Sequence, residues 1–397
     1  MSRPQATAPR ERLVPHRLAD ARAEECYIAS VMSLEEQRRR AQLAFVASEQ
    51  ELEIGEASRL PRPLADLATL PADSPLVEQV FAGGLTAVVY KLCIDGRRWA
   101  LKRQRPQSLV QNVDGQTSFL NEVQRRKELQ ELQALAPSAA PLREHLVQTH
   151  YASLRHGLLL SPWVEGAPLQ RFDGRVFDQL FATLVELELA GFFEWDLSPG
   201  NLLDDGERVT LFDFGYMYRF DPLAHYNSNG LDTPLFHGIE RFETRCFFGF
   251  LLQNPLALEQ AGLLALFREE KELALSHYQH KLSRLERARA APAVLRWQRA
   301  ILQRWSTALA SPRGLDELYL LESFRSHVLD LLDDLHGKSC TPHTLNKAAA
   351  VSQLLREHHS LLAERGGLFF GDEALSRAEL LAKYHQLERQ AAEHLLP

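Results

Sequence analysis

The sequence predicts an α+β protein: a small sheet-rich lobe, then a larger helical lobe, with helical extensions at both ends. Three observations carry this. Between Val77 and Pro162 the chain holds apolar and β-branched runs of strand length, punctuated by Gly83-Gly84 and Asp95-Gly96. From Val176 onward apolar residues recur at helical spacing, and beyond Asn254 nearly every segment reads as helix. Strands first and helices afterward, rather than in alternation, is the order of an α+β chain.

Bulk properties narrow the class. The 397 residues carry a net charge of −7, with 45% hydrophobic and 24% charged residues, ordinary for a globular protein. Acid and base are scattered, so no basic stripe points to nucleic acid and no polybasic helix to a membrane surface. Cys26, Cys93, Cys246 and Cys340 are far apart and form no CxxC pair. That spacing argues against a disulfide framework or structural zinc and for a reducing, cytoplasmic location. The N-terminus is polar and basic without an apolar core, so no secretory signal is expected. The stretch Cys246 to Phe267 is interrupted by Gln253, Asn254, Pro255, Glu259 and Gln260. It reads as buried helix, and no membrane span is expected.

Taken in order, residues 1–16 read as disordered and Ala19 to Glu56 as helical, with Ser33 and Glu36 at the spacing of a capping box. Pro61, Pro63, Pro71 and Pro75 mark a linker, which closes an N-terminal extension over residues 1–70. Residues 71–165 form the sheet-rich lobe. Its strands are Val77–Val80, Ala87–Ile94, Arg98–Lys102, Leu146–Leu154 and Leu158–Pro162, with Asp95-Gly96 as a hairpin turn. A helix capped by Thr117 or Ser118 runs to about Ala134. Residues 166–255 form the core of the helical lobe. Its first helix, Val176 to Leu189, aligns Phe177, Leu180, Phe181, Leu184 and Leu187 on one face. Two strands then flank Asp204-Asp205-Gly206. Residues 256–397 read as helices: Leu263–Ala290, Val294–Leu309, Asp316–His336, Thr344–Glu364 and Glu373–Leu396.

Four features along this frame carry chemistry. Gly83-Gly84 lies between two strands, where a loop without bulky side chains lets backbone N–H groups approach phosphates. Lys102 ends the strand Ala100-Leu101-Lys102, and Glu122 follows twenty residues later in the next helix. Asp196-Leu197-Ser198-Pro199-Gly200-Asn201 follows the amphipathic helix. Twelve residues beyond Asn201, apolar residues surround Asp213-Phe214-Gly215.

In this order and spacing the four features resemble the protein-kinase-like superfamily over roughly residues 76–253. Gly84 and Val89 match the second glycine and the valine of the GxGxxGxV loop, with Ala82 and Ala87 at the first and third glycines. The resemblance implies a bilobal kinase-like fold that binds ATP and Mg²⁺. Gly83 and Gly84 would cover the phosphates, and Lys102, paired to Glu122, would hold them. Asp196 would be the catalytic base, and Asn201 and Asp213 the metal ligands. Trp163-Val164 would be the hinge against the adenine, with Ser161 near the gatekeeper position.

The acceptor stays open. Asp-Leu-Ser resembles RIO kinases, which act on proteins, and Asp-Leu-x-Pro-Gly-Asn resembles aminoglycoside and choline phosphotransferases. Glu194-Trp195 stands where His-Arg usually precedes the aspartate, so control by activation-loop phosphorylation is not expected. Thr233-Pro234 to Glu240 has the spacing of the segment that ends a protein-kinase activation loop, with Thr233, Phe236 and Glu240 holding a substrate platform. Further on, Gly249 matches that family while Thr244 replaces an aspartate. The expectation is therefore an ATP- and Mg²⁺-dependent kinase acting on protein Ser/Thr hydroxyls. The alternatives are a small-molecule kinase, a nucleotide-binding pseudokinase and AMP transfer. His358-His359 and Asp333-Asp334 with His336 are read as solvated helix faces, and Trp297 and Trp305 as core.

Overall fold

The computed structural model describes residues 32–135, 140–254 and 259–396. The readings of residues 1–31 lie outside them. The chain is mixed α+β, with a small antiparallel sheet and a helical C-terminal part. The sheet is built from β1 (Glu53–Ile54), β2 (Val77–Phe81), β3 (Ala87–Ile94), β4 (Arg97–Gln104), β5 (Tyr151–Ser153) and β6 (Leu158–Pro162). Its order is β1-β5-β6-β4-β3-β2, antiparallel throughout. Asp95 and Gly96 have φ of 51° and 77°, the left-handed pair that a two-residue hairpin turn between twisted strands requires.

Register decides what each face carries. Lys102 lies opposite Val89 and Leu159, so these three share a face; Leu101 lies opposite Tyr90 and Leu160 on the other. The Lys102 face is covered by α3 (Val113–Leu135), whose Phe119 and Val123 pack with Ile54, Ala152 and Leu159. The opposite face is covered by the segment expected to be a linker. Its short helix α2 (Leu64–Ala68) and flanks bury Leu67 and Leu70 against Tyr90, Leu92, Trp99 and Leu160. The prolines suggested an open connection, but proline only restricts φ. The leucines among them still reach apolar surface.

Two further boundaries differ. Helix α1 (Leu34–Ala47) starts at the expected Ser33–Glu36 capping box but stops at Ala47 rather than Glu56. Beyond it, Glu49 has a positive φ and the chain turns to add β1 to the sheet edge. A two-residue strand is too short to leave an alternating pattern. Helix α3 starts at Val113, not at Thr117. The Asn112 side chain accepts from the Gly115 N–H at 2.8 Å, while the Thr117 and Ser118 hydroxyls donate to helix carbonyls behind them. The expected strand Leu146–Leu154 is confined to β5. After α3 comes α4 (Ala140–Glu144).

The helical part centres on α5 (Gly174–Leu189), capped by Asp173, whose carboxylate accepts from the Val176 N–H at 2.9 Å. Its buried face holds the five apolar residues expected. Small strands lie beside it: β7 (Ala167–Pro168), β8 (Phe192–Glu194), β9 (Leu202–Asp204), β10 (Val209–Leu211) and β11 (Met217–Arg219). They form the sheets β10-β9-β7 and β11-β8. Next come α6 (Gly238–Phe242), a π-helical turn (Glu243–Phe247) and α7 (Phe248–Gln253). The C-terminal helices are α8 (Gln260–Arg287), α9 (Pro292–Leu309), α10 (Pro312–Gly337), α11 (Pro342–Glu364) and α12 (Arg377–Glu393), close to the expected spans. The core crosses the boundary expected at 255/256. Phe267, Tyr278, Trp305 and Leu315 pack in one cluster with α5, while Phe324 onward anchors a second cluster with α11 and α12. Among the described residues no helix is long and apolar enough to cross a membrane.

Inside the first cluster sits a buried carboxylic acid with a consequence for stability. Glu240 is fully buried; one oxygen accepts from the Thr244 hydroxyl at 2.5 Å and the other has no partner among the described residues. Burial pushes its carboxyl up to about 7 from an ordinary 4.5. A carboxyl raised on folding contributes stability below the ordinary value and loses it as pH rises through the folded value. The fold should therefore weaken between about pH 4.5 and 7. Glu240→Gln should flatten that slope and gain about 2 kcal/mol at the alkaline end, measured by urea unfolding across the range.

Candidate active site

Three of the expected residues converge on one ammonium group. Lys102 Nζ lies 2.5 Å from Glu122 Oε2 and 2.7 Å from Asp213 Oδ2. The β4 register points Lys102 toward α3, and the helix presents Glu122 to it. Burial alone would lower the lysine's pKa, but Asp213 and Glu122 hold it above its ordinary range. Burial alone would raise that of Asp213, but Lys102 holds it below. The group therefore carries a fixed positive charge at the floor of the sheet.

Helix α3 contributes more than Glu122. Arg126, one turn on, bonds Glu122 Oε1 at 2.9 Å and donates to the Phe212 carbonyl. Asn121 is wholly buried, and its Nδ2 faces the carbonyls of Phe214, Gly215 and Met217 at 3.3, 3.0 and 2.6 Å. Gln42 of α1 reaches Asn121 Oδ1 at 3.3 Å. The same helix thus aims Glu122 at the lysine and grips the backbone after Asp213. Sequence reasoning found Glu122 and missed its neighbours. Positions one before and four after it were the available signal.

The loop after β8 holds the other expected residues. Asn201 Nδ2 donates to Asp196 O and to Asp196 Oδ2, both at 2.9 Å. This leaves the Asn201 carbonyl oxygen, a hard ligand, without a bond among the described residues. Glu194 Oε1 accepts from the Asp196 N–H at 2.8 Å, and its Oε2 is buried without a partner among the described residues. Burial pushes the Glu194 carboxyl well above its ordinary range. Trp195 fastens the chain beyond Asp213: its Nε1–H donates to Ser228 Oγ at 2.9 Å and its ring lies 5.1 Å from that of Phe236.

Two arginines that sequence reasoning overlooked brace this loop from the first turns after His237. Arg241 Nε donates to Trp195 O at 3.0 Å and pairs with Asp333 at 2.6 Å. Arg245 Nε lies 3.2 Å from Asp196 Oδ1, and its Nη1 pairs with Asp330 and, at 3.3 Å, with Asp334. The solvated face expected at Asp333 and Asp334 holds for the exposed Asp333, and both carboxylates also serve as ion-pair partners. Trp305 is core as expected, while Trp297 is half-buried and stacks on Tyr226.

Gly84 allows the turn between β2 and β3 to close. A Cβ there would stand 2.5 Å from the Ala87 carbonyl oxygen. Arg105 Nε donates to Gly84 O at 2.8 Å and its Nη2 to Ala82 O, so one side chain shapes the loop. Gly83 has open space around it. Val89 lies on the Lys102 face. Trp163 stacks on Phe81 at 5.8 Å, beside the half-buried Val164. Ser161 Oγ and Trp163 Nε1 are buried without hydrogen-bond partners among the described residues. Ser161 alternates with Leu159 on β6, so it too lies on the Lys102 face.

The residues expected to hold a substrate platform serve as internal struts. Thr233 Oγ1 donates to Asn227 Oδ1 at 3.1 Å, Asn227 Nδ2 donates to Thr233 O and Phe236 O, and Glu240 is interior. Thr244 bonds Glu240 rather than the loop of Asp196.

No family model and no curated protein matches this chain.

The donor set suits Mg²⁺ with nucleotide phosphates. Among the described residues no three His, Cys, Asp or Glu side chains converge as a protein cage. Mg²⁺ needs no such cage: one or two protein ligands, phosphate oxygens and water complete its shell. The Asp213 carboxylate and the Asn201 carbonyl oxygen, free of a bond among the described residues, would supply the protein share. The orphaned Ser161 and Trp163 atoms are polar groups that a heterocycle with its own donors and acceptors would satisfy.

Proposed function

We propose that this chain is an ATP- and Mg²⁺-dependent phosphotransferase of the protein-kinase-like superfamily, with a bilobal fold and a Ser/Thr hydroxyl of a protein as acceptor. The observation that carries the reading is the Lys102 ammonium held between Glu122 and Asp213 while Asn201 bonds Asp196. Bound Mg²⁺ would neutralise charge on the phosphate oxygens. Lys102 and the Gly83-Gly84 turn would position those phosphates, and Val89, Ser161, Trp163 and Val164 would line the base. Asp196 takes the proton of the acceptor hydroxyl. The acceptor oxygen forms its bond to the γ-phosphorus as the bond from phosphorus to the ADP oxygen breaks, and that electron pair leaves with ADP.

A second reading, a small-molecule acceptor, is favoured by a pocket of about 410 Å³ between the glycine turn and the start of α3. Thr86, Ser118 and the amides of Gln104, Gln107, Gln111 and Gln116 line it. None of the four amides bonds another described residue, so donors and acceptors stand free for a polyhydroxyl compound. Purified protein with Mg²⁺ and γ-labelled ATP separates the readings. Label on protein, absent from Asp196→Ala, is the expected result. Label only on an added aminoglycoside, choline or sugar moves the acceptor to the second reading. A melting shift with Mg-ATP but no turnover overturns both and leaves a binding module.

A further inference from the structure

We propose that Arg245 is the cation that faces the transferred phosphoryl group, seated there by two aspartates of α10; the inference rests on the phosphotransferase reading above. Phosphoryl transfer spreads negative charge over three oxygens, and catalysis is mostly positioning and stabilising that charge. The loop that carries Asp196 has no basic residue between it and Asn201: Leu197, Ser198, Pro199 and Gly200 intervene. Lys102 is engaged by Glu122 and Asp213. A cation next to the acceptor oxygen must therefore come from elsewhere in the chain.

Arg245 meets the geometric requirement. Its Nε lies 3.2 Å from Asp196 Oδ1. An acceptor hydroxyl within hydrogen-bond reach of Asp196 places the entering phosphorus, one covalent bond further, in the neighbourhood of this guanidinium. Nη1 is taken by Asp330 and Asp334, and Nη2 has no partner among the described residues. The side chain is 20% exposed, so its uncommitted edge can meet a ligand.

The seat of Arg245 is fixed by the fold around it. Arg245 lies in the π-helical turn Glu243–Phe247, an uncommon geometry that recurs at functional sites. Asp330 is 1% exposed and is also paired with Lys347; Asp334 accepts from the Thr344 hydroxyl at 2.6 Å. Both partners stand on α11, so the C-terminal helices fix the direction of the fork. A purely structural ion pair would be complete with Asp330 and Asp334. The third contact, to Asp196, ties the arginine to the reacting group.

The test compares Mg-AMPPNP with Mg-ADP binding by calorimetry, alongside melting temperature and the rate of ATP turnover. A cation that meets the γ-phosphoryl group changes the first affinity and leaves the second. R245A should weaken Mg-AMPPNP about tenfold, with Mg-ADP within twofold. R245K, which keeps the charge, should retain most of the preference. R245Q, which keeps volume and a donor without charge, should lose it, and it decides the matter where R245A does not fold. Asp330→Asn should give an intermediate loss. Equal effects on the two nucleotides, or none, in a folded R245Q protein that binds nucleotide overturn this inference alone. Wild-type protein that binds neither nucleotide overturns the phosphotransferase reading and this inference with it.

Discussion

Asp196→Asn should lower the rate of phosphoryl transfer about 10³-fold while leaving the fold and nucleotide binding intact. Both carboxylate oxygens of Asp196 already accept from fixed donors: Oδ1 from Arg245 at 3.2 Å and Oδ2 from Asn201 at 2.9 Å. An asparagine must present its NH₂ to one of those donors in either orientation. On the proposed function, the substitution would therefore remove the proton acceptor and misalign its replacement. The loop itself is held by other contacts, through Phe192, Phe193 and Leu197 in the core and through Arg241 on Trp195 O. Melting temperature and the dissociation constant for Mg-ATP should stay close to wild type. A variant rate within tenfold of wild type would remove Asp196 from the role of base.

The largest effect on stability is expected at Lys271. Lys271 has no solvent exposure and lies among Glu243, Glu322 at 2.6 Å and Glu270 at 3.4 Å. Burial opposes its charge, but the carboxylates around it hold its pKa above the ordinary lysine range. Lys271→Met fills the space and leaves Glu243 and Glu322 with Arg325 as their one remaining cation among the described residues. Removing one partner of a buried ion pair typically costs about 3–5 kcal/mol, because a desolvated charge is stranded. Urea unfolding should read a loss of that size. Combining it with Glu243→Gln should recover part, since one stranded carboxylate disappears. Glu270→Gln should by contrast be nearly silent: burial already pushes that carboxyl well above its ordinary range, and its contact with Lys271, at 3.4 Å, is long. A Lys271→Met protein as stable as wild type would mean that water or rearrangement relieves the cluster.

Much of the architecture was legible because it is written in short-range patterns. The period-2 runs around Asp95-Gly96 mark a hairpin whose turn needs two left-handed residues, and β3 and β4 appear there. The apolar face of Val176–Leu189 and the helices beyond Asn254 are visible at helical spacing because each buries one stripe. Lys102, Glu122 and Asp213 were legible together only through the order of four motifs. Spacing proposed that they belong to one site, and β4, α3 and the turn after β10 bring them within 2.7 Å.

Other parts had no local signature. The Pro61–Pro75 stretch looks like a linker because proline is read before leucine, and only the exposed back of the sheet gives Leu67 and Leu70 a place to go. The edge strand β1 is two residues long. Asn121, Arg241 and Arg245 are ordinary polar residues in helical segments until the fold places a carbonyl or carboxylate opposite each.

From the sequence alone one can determine an α+β chain with strands before helices, and an ordered set of groups suited to phosphate, metal and proton. The tertiary structure decided which groups meet: Asn121 with the backbone after Asp213, and Arg245 with both Asp196 and the aspartates of α10. The physical reason is range. Hydrophobic periodicity and turn chemistry act over a few residues and leave a pattern in the chain. An ion pair between residues 245 and 330 has no such pattern, because its strength depends on distance and burial, which exist only once the helices have packed.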